Sequence, residues 1–383
     1  MKNKTKNNKS TNFHEHFHLP KDRKIVYLIA AGSVVVVGSL LWGGLALLAQ
    51  PKATAKNLTI VNSPTINKNV HQDNAFTTEP EPTELPRTLD GVIVDPDVAN
   101  LFVYAVMLDN NPAARPHAGL SQASVVYNTL VEGGATRIMA VFSSDVLPDR
   151  IGPVRSARPY YLEWLSEYDG MYVHAGGSPE ALQTISAFDL RAVNCIGNGA
   201  RYCFRDYTGY APHNMFTDHE KMAYAMRDLE YTDIKPEYNT WRFKDEDALG
   251  GRGDFSWLEL HYSAGTYNAR YEYDKENNIY KRFNGTDPHL DRNTEEQIAA
   301  KNVIVQVVPP IVAYLEKGRI VLNVTGEGKA VLYRDGLVIP GTWQKPLRVE
   351  RTVFTAEDGT EMKLNRGQTW VEIIPEGREF PYQ

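Results

Sequence analysis

Cysteine is nearly missing from this chain of 383 residues: there are two, and none precedes Cys195. A lipid anchor attached just behind an apolar leader needs a cysteine at that point, so that mode of anchoring is excluded. Neither cysteine lies in a recognisable Cys/His arrangement, and no HExxH or similar spacing is found, so no metal and no cofactor is expected. A net positive charge is also missing outside one segment. The first 24 residues hold Lys2, Lys4, Lys6, Lys9, Lys21, Arg23 and Lys24 against Glu15 and Asp22, a surplus of five, while the whole chain is −6; the rest therefore carries −11. Such a surface is poor for nucleic acid, whose binding rests on neutralising phosphates. No internal repeat is present. What remains is a globular composition, 42% hydrophobic and 23% charged, with room for two ordinary domains.

The run from Ile25 to Ala49 contains no charge. As a helix it would be about 37 Å long at ~1.5 Å per residue, against ~30 Å of hydrocarbon. With the basic tail 1–24 ahead of it, the positive-inside rule keeps the N-terminus in the cytoplasm and places everything after Gln50 outside. A cleavable signal peptide is the rival, since Leu47 and Ala49 loosely fit a small-residue cleavage site, but the run exceeds the ~7 to 15 residues of a usual signal core. Within the tail, "HEHFH" reads as part of a solvated segment rather than a metal site. Residues 50–88 are polar and rich in Asn, Thr and Pro, a linker whose mean span is about 35 Å.

Beyond the linker the pattern predicts an α+β protein: a mixed α/β domain over 89–240, then a β-rich domain over 241–383. "LFVYAVML", "ASVVYNTLVE", "RIMAVFSS" and "GMYVHA" read as strands, while "PEALQTISAF" and "DHEKMAYAMRDL" have helical apolar spacing. In the second part short alternating strands are separated by Asn, Asp and Gly turns, and "TEEQIAAK" alone reads as a helix. Cys195 and Cys203, in "NCIGNGARYC", either close a short loop as a disulfide or stay free.

The segments "VMLDNNPAARPHAGLSQASVVYNTLVEGGATRIMAVF", "IGPVRSARPYY" and "HAGGSPEA", followed by a β-rich tail containing "GTWQK", resemble the YerB family of bacterial extracytoplasmic proteins. The likeness covers essentially everything after the linker. It implies a compartment and a two-part architecture of unknown function, and it implies no reaction. This sequence departs from the lipoprotein members in having a candidate spanning helix and no lipid-bearing cysteine.

Candidate chemistry lies in the strand-end loops of the first domain, where α/β domains place ligands. In "GPVRSARP", Ser156 is suited to cap a helix and Pro159 to begin it, which puts Arg155 and Arg158 near its start. Cations there oppose the helix dipole and ask for an anion. That anion is either internal, from Asp109, Glu132 or Asp206, or a bound ligand gripped by the planar forks of Arg137, Arg155 and Arg158. In "HAGGSPEA", His174 ends a strand and Ser178 caps a helix whose N–H groups would favour an anion; an ordinary strand-to-helix connection explains the same residues. His174 and His213 are each a candidate general base or metal ligand, though no spacing supports a metal, or a satisfied structural histidine. Trp241, Trp257, Trp343 and Trp370 either stack on sugars or pack in the core. The "RGD" at Arg252 to Asp254 is given no adhesive role.

Two functions follow. The first is a membrane-tethered envelope module whose arginine-rich cleft binds an anionic wall component, such as a cell-wall glycan, or the carboxylates of an envelope protein. The second is an enzyme: the layout resembles, without a diagnostic motif, that of LytR-CpsA-Psr phosphotransferases, which move glycans from a lipid pyrophosphate.

Overall fold

The long apolar runs of the first half become strands covered on both sides. β1 (Val103–Asp109), β2 (Val125–Leu130) and β3 (Thr136–Ser143) are buried along their whole length, which requires a layer on each face of their sheet. The computed structural model describes residues 82–383, so the basic tail, the apolar run 25–49 and most of the linker lie outside the described residues. Among the described residues no helix is long and apolar enough to cross a membrane.

Counting strands of three residues or more, the elements that follow are α1 (Pro159–Leu165), β4 (Met171–His174), α2 (Pro179–Ala187), β5 (Ala192–Asn194) and α3 (His219–Asp228). The second half adds β6 (Trp257–Leu260), β7 (Ala269–Asp274), β8 (Ile279–Asn284) and β9 (Asn302–Val308). It ends with β10 (Gly326–Arg334), β11 (Leu337–Lys345), β12 (Val353–Ala356) and β13 (Thr369–Pro375). All three α-helices among the described residues belong to the first half, and the second half is strand-rich, so the fold is α+β.

One ten-stranded sheet runs in the order β12-β11-β10-β9-β13-β2-β3-β1-β4-β5 and crosses the 240/241 line. Its seam is β13, which lies parallel to β9 over Asn302↔Thr369 to Val308↔Pro375. On its other side it lies parallel to β2 over Thr369↔Val125 to Glu372↔Asn128. Strand alternation then divides the faces. Trp370 and Glu372 meet Tyr271, Tyr262 and Arg282 of the smaller sheet built on β6, β7 and β8. Tyr127, on the opposite face of β2, stacks on Trp164 of α1 at 5.4 Å. The chain is therefore layered as helices, large sheet, small sheet.

Glu372 is fully buried at that seam, yet it accepts hydrogen bonds from Tyr271 Oη (2.5 Å), Asn128 Nδ2 (2.7 Å) and Tyr262 Oη (2.8 Å), with Arg282 at 3.4 Å. A carboxylate so supplied with donors is tolerated inside a core, and removing its partners would strand a charge.

Two expectations differ. "TEEQIAAK" forms no helix: Glu295 sits at φ 60°, and burial alternates through Gln297, Ile298, Ala299 and Ala300 as in a strand. Ser156 caps nothing; its hydroxyl donates to the Ala175 carbonyl (3.0 Å), and α1 begins behind Arg158 without a side-chain cap. Trp241, Trp343 and Trp370 are core residues, and Trp257 lies under the Arg270 guanidinium. Cys195 and Cys203 are joined by a disulfide.

Candidate functional site

The antiparallel register of β1 against β3 sets Asp109 opposite Arg137, so the loop that follows β1 and the turn that leads into β3 gather at one end of the sheet. The tight β2–β3 turn needs Gly133 and Gly134 at φ 67° and 77°, and it presents Glu132. Arg158 grips this carboxylate with two nitrogens, Nε at 2.8 Å from Oε2 and Nη2 on Oε1, and Arg137 Nη2 reaches Oε1 at 3.3 Å. The other donors turn inward, Arg158 Nη1 to the Ala157 carbonyl (2.6 Å) and Arg137 Nη1 to the Ser156 carbonyl (2.8 Å). Both arginine side chains are below 10% exposed, at 9% and 5%. Burial pushes the Glu132 carboxyl up, but the Arg158 hydrogen bonds and the two guanidinium charges outweigh it and hold the group at about 2. For these two arginines the anion is internal.

Arg155 goes elsewhere. Its segment runs along β1, with the Asp109 N–H donating to Pro153 and the Arg155 N–H donating to Met107. Its Nε lies 3.0 Å from Asp109 Oδ2, and His213 Nδ1 donates to the same oxygen at 2.7 Å. Asp109 Oδ1 accepts from the Asn111 N–H at 3.1 Å, which fixes the carboxylate. The Nη atoms of Arg155 and Nε2 of His213 have no hydrogen-bond partner among the described residues, and the two side chains keep 27% and 13% of their exposure. One carboxylate oxygen thus faces a guanidinium and an imidazole, holding His213 by a hydrogen bond and Arg155 by charge alone, since Arg155 Nε makes no hydrogen bond there.

The remaining candidates lie apart. Asp206 pairs with Arg150 (2.7 Å) and lies 3.5 Å from Arg292. Ser178 caps α2 by accepting from the Ala181 N–H (3.3 Å), with Pro179 at the first helical position. His174 is buried and donates from Nδ1 to the Gly176 carbonyl (2.7 Å); burial lowers its pKa, as suits a neutral structural ring. Arg158 and Ser178 line one cavity of about 220 Å³, walled by Tyr160, Leu315, Ile320 and Leu322. Among the described residues no three His, Cys, Asp or Glu side chains are grouped to hold a metal.

Beneath the Asp109 group lies a buried relay that sequence reasoning missed. His117 Nε2 contacts the Asp109 carbonyl at 2.7 Å, so that nitrogen must carry the proton and Nδ1 must accept. His289 Nε2 then donates to His117 Nδ1 (2.7 Å), while its own Nδ1 accepts from Arg282 Nη1 (2.7 Å). Both rings are neutral in this scheme. Burial agrees, lowering His117 to about 4 and His289 well below its ordinary value. Since Arg282 faces Glu372, the relay ties the strand-end loop to the seam of the large sheet. The available signal was charge on the inward phase of a strand, Arg282 in "IYKRFN" and Glu372 in "TWVEIIP".

The fold belongs to a class seen in other chains. Residues 89–232 match the family described as "Protein of unknown function (DUF3048) N-terminal domain", and residues 258–371 match its "C-terminal domain". The chain belongs to this two-part family. Over 298 residues it is 30% identical to "Putative lipoprotein YerB" of Bacillus subtilis (strain 168), spanning 76% of this chain and 87% of that one. The structure is similar to the crystal structure of YerB protein from Bacillus subtilis, with a TM-score of 0.69 at 27% identity, over 78% of this chain and 99% of that chain.

Proposed function

We propose that the protein is a membrane-anchored module of the cell envelope that binds an anionic group at the Asp109, Arg155 and His213 cluster. The observation that carries this reading is a single carboxylate oxygen that faces both Arg155 and His213 while their outer nitrogens stay unpaired among the described residues. His213 is oriented by its hydrogen bond to Asp109 before any ligand arrives, and two bonds from the Arg155 guanidinium match a phosphate or carboxylate edge. Arg137, Arg158 and Glu132 buttress this site from behind. The anchor is the apolar run 25–49, with the basic tail in the cytoplasm and the main body outside. The relative's printed name, a lipoprotein, supports the same compartment by a different anchor. A phosphotransferase of the LytR-CpsA-Psr kind would ask Arg137 and Arg158 to neutralise a diphosphate; with both engaged by Glu132, that reading has less support.

A thermal melt of residues 82–383 with and without ~10 mM phosphate or pyrophosphate tests the site, since a ligand that binds only the folded state raises its stability. Wild type is expected to gain stability from the anion and Arg155→Ala to gain none. No gain in wild type overturns the reading.

A further inference from the structure

The aromatic side chains that sequence reasoning offered to sugars are mostly buried, and others stand open beside the anion site. Between Arg201 and Asn214 the exposed large apolar side chains are Tyr207, at 86%, and Tyr210, at 65%. Tyr210 is set against His213 with ring centroids 5.7 Å apart and planes at 86°, and the His213 N–H donates to the Tyr210 carbonyl at 2.9 Å. The same His213 is held by Asp109, whose other partner is Arg155.

This loop is held rather than loose. Asp206 Oδ1 accepts from the Thr208 N–H (2.9 Å) and hydroxyl (2.7 Å), and Asn214 Nδ2 donates to the carbonyls of Asp206 (3.1 Å) and Gly209 (3.3 Å). Arg205 Nη1 donates in turn to Asn214 Oδ1 at 2.7 Å. The Cys195–Cys203 disulfide ties the strand that enters the loop to the β5 side of the sheet.

We infer that this site takes an anionic glycan, a sugar ring lying on Tyr210 and Tyr207 while its phosphate or carboxylate substituent meets Arg155 and His213. The inference rests on the anion-binding reading given above and adds the class of ligand. An exposed ring on a held loop offers a flat apolar face, which the C–H face of a sugar can cover. A protein partner fits less well. Protein interfaces centre on a contiguous apolar core, and around the two rings this segment presents only Thr208, Gly209, Ala211 and Pro212.

Binding to residues 82–383 is measured by calorimetry with inorganic phosphate, N-acetylglucosamine 1-phosphate, N-acetylmuramic acid and neutral N-acetylglucosamine. The sugar phosphate or the acidic sugar is expected to bind about tenfold tighter than phosphate, and the neutral sugar weakest. Which of the two anionic sugars binds tighter identifies the substituent. Tyr210→Ala should bring the affinity for the anionic sugars down to that for phosphate, Tyr210→Trp should restore the tenfold ratio between them, and Arg155→Ala should abolish all binding. Phosphate bound equally well with or without a sugar, and indifferent to Tyr210→Ala, overturns the glycan while the anion site stands. Binding of none of the four overturns both. Sugar-independent binding combined with capture of an envelope protein that Tyr207→Ala and Tyr210→Ala abolish would assign the rings to a protein partner and overturn the glycan.

Discussion

Two carboxylates sit at the same end of the large sheet, each facing arginine, and they do different work. Glu132 is the more exposed of the two, at 30%, yet it engages two arginines that are almost wholly buried. Asp109 is 7% exposed, yet its partners Arg155 and His213 reach solvent. The burial of the cation therefore decides which ion pair is structural: a guanidinium without water has no alternative to its carboxylate, whereas one with water can exchange it for a ligand.

The sharpest way to break this contrast is Glu132→Ala, which leaves the Arg137 and Arg158 charges without a counter-ion. The expected loss is about 3 kcal/mol, the low end of the roughly 3 to 5 kcal/mol for a fully buried pair, read from chemical denaturation. A loss near zero would put Glu132 in the same category as Asp109.

Acid should act on the same pair more gently. Glu132 is held at about 2 against an ordinary 4.5, so its contribution is complete above about pH 4.5 and is lost as pH falls through about 2. Melts between these limits should fall less steeply for Glu132→Gln than for wild type; parallel curves would show that the carboxylate is not what acid titrates.

The smallest expected effect is that of Arg155→Ala on stability without ligand. Asp109 keeps its bonds to His213 and the Asn111 N–H, so the loss should stay below about 1 kcal/mol, as for a partly exposed pair. A loss as large as that of Glu132→Ala would make Arg155 another structural arginine.

Much of this was legible along the chain. Continuous apolar runs marked β1, β2 and β3, and Ser178-Pro179 marked the start of α2, because these signals are local. The loops bearing Asp109, Glu132, Arg137, Arg155 and Arg158 were legible as strand ends for the same reason. Pairing was not: whether Arg155 meets Asp109 or Glu132, and that Asp206 joins Arg150, depends on how segments far apart in sequence lie against one another. "TEEQIAAK" failed because three apolar residues in a row fit either period until the backbone at Glu295 is known. The relay through His117 and His289 joins residues 172 positions apart, beyond any local pattern.

The position of β13 has a further consequence for how the chain is made. Synthesis proceeds from the N-terminus, and the strand that closes the sheet between β2 and β9 comes after every other strand of that sheet. Until it emerges, the long edges of β2 and β9 stay unpaired, and such edges recruit other strands. The two halves therefore cannot mature one after the other as independent units. The nascent chain carries an open sheet until β13 has been made, a state in which exposed edges favour aggregation.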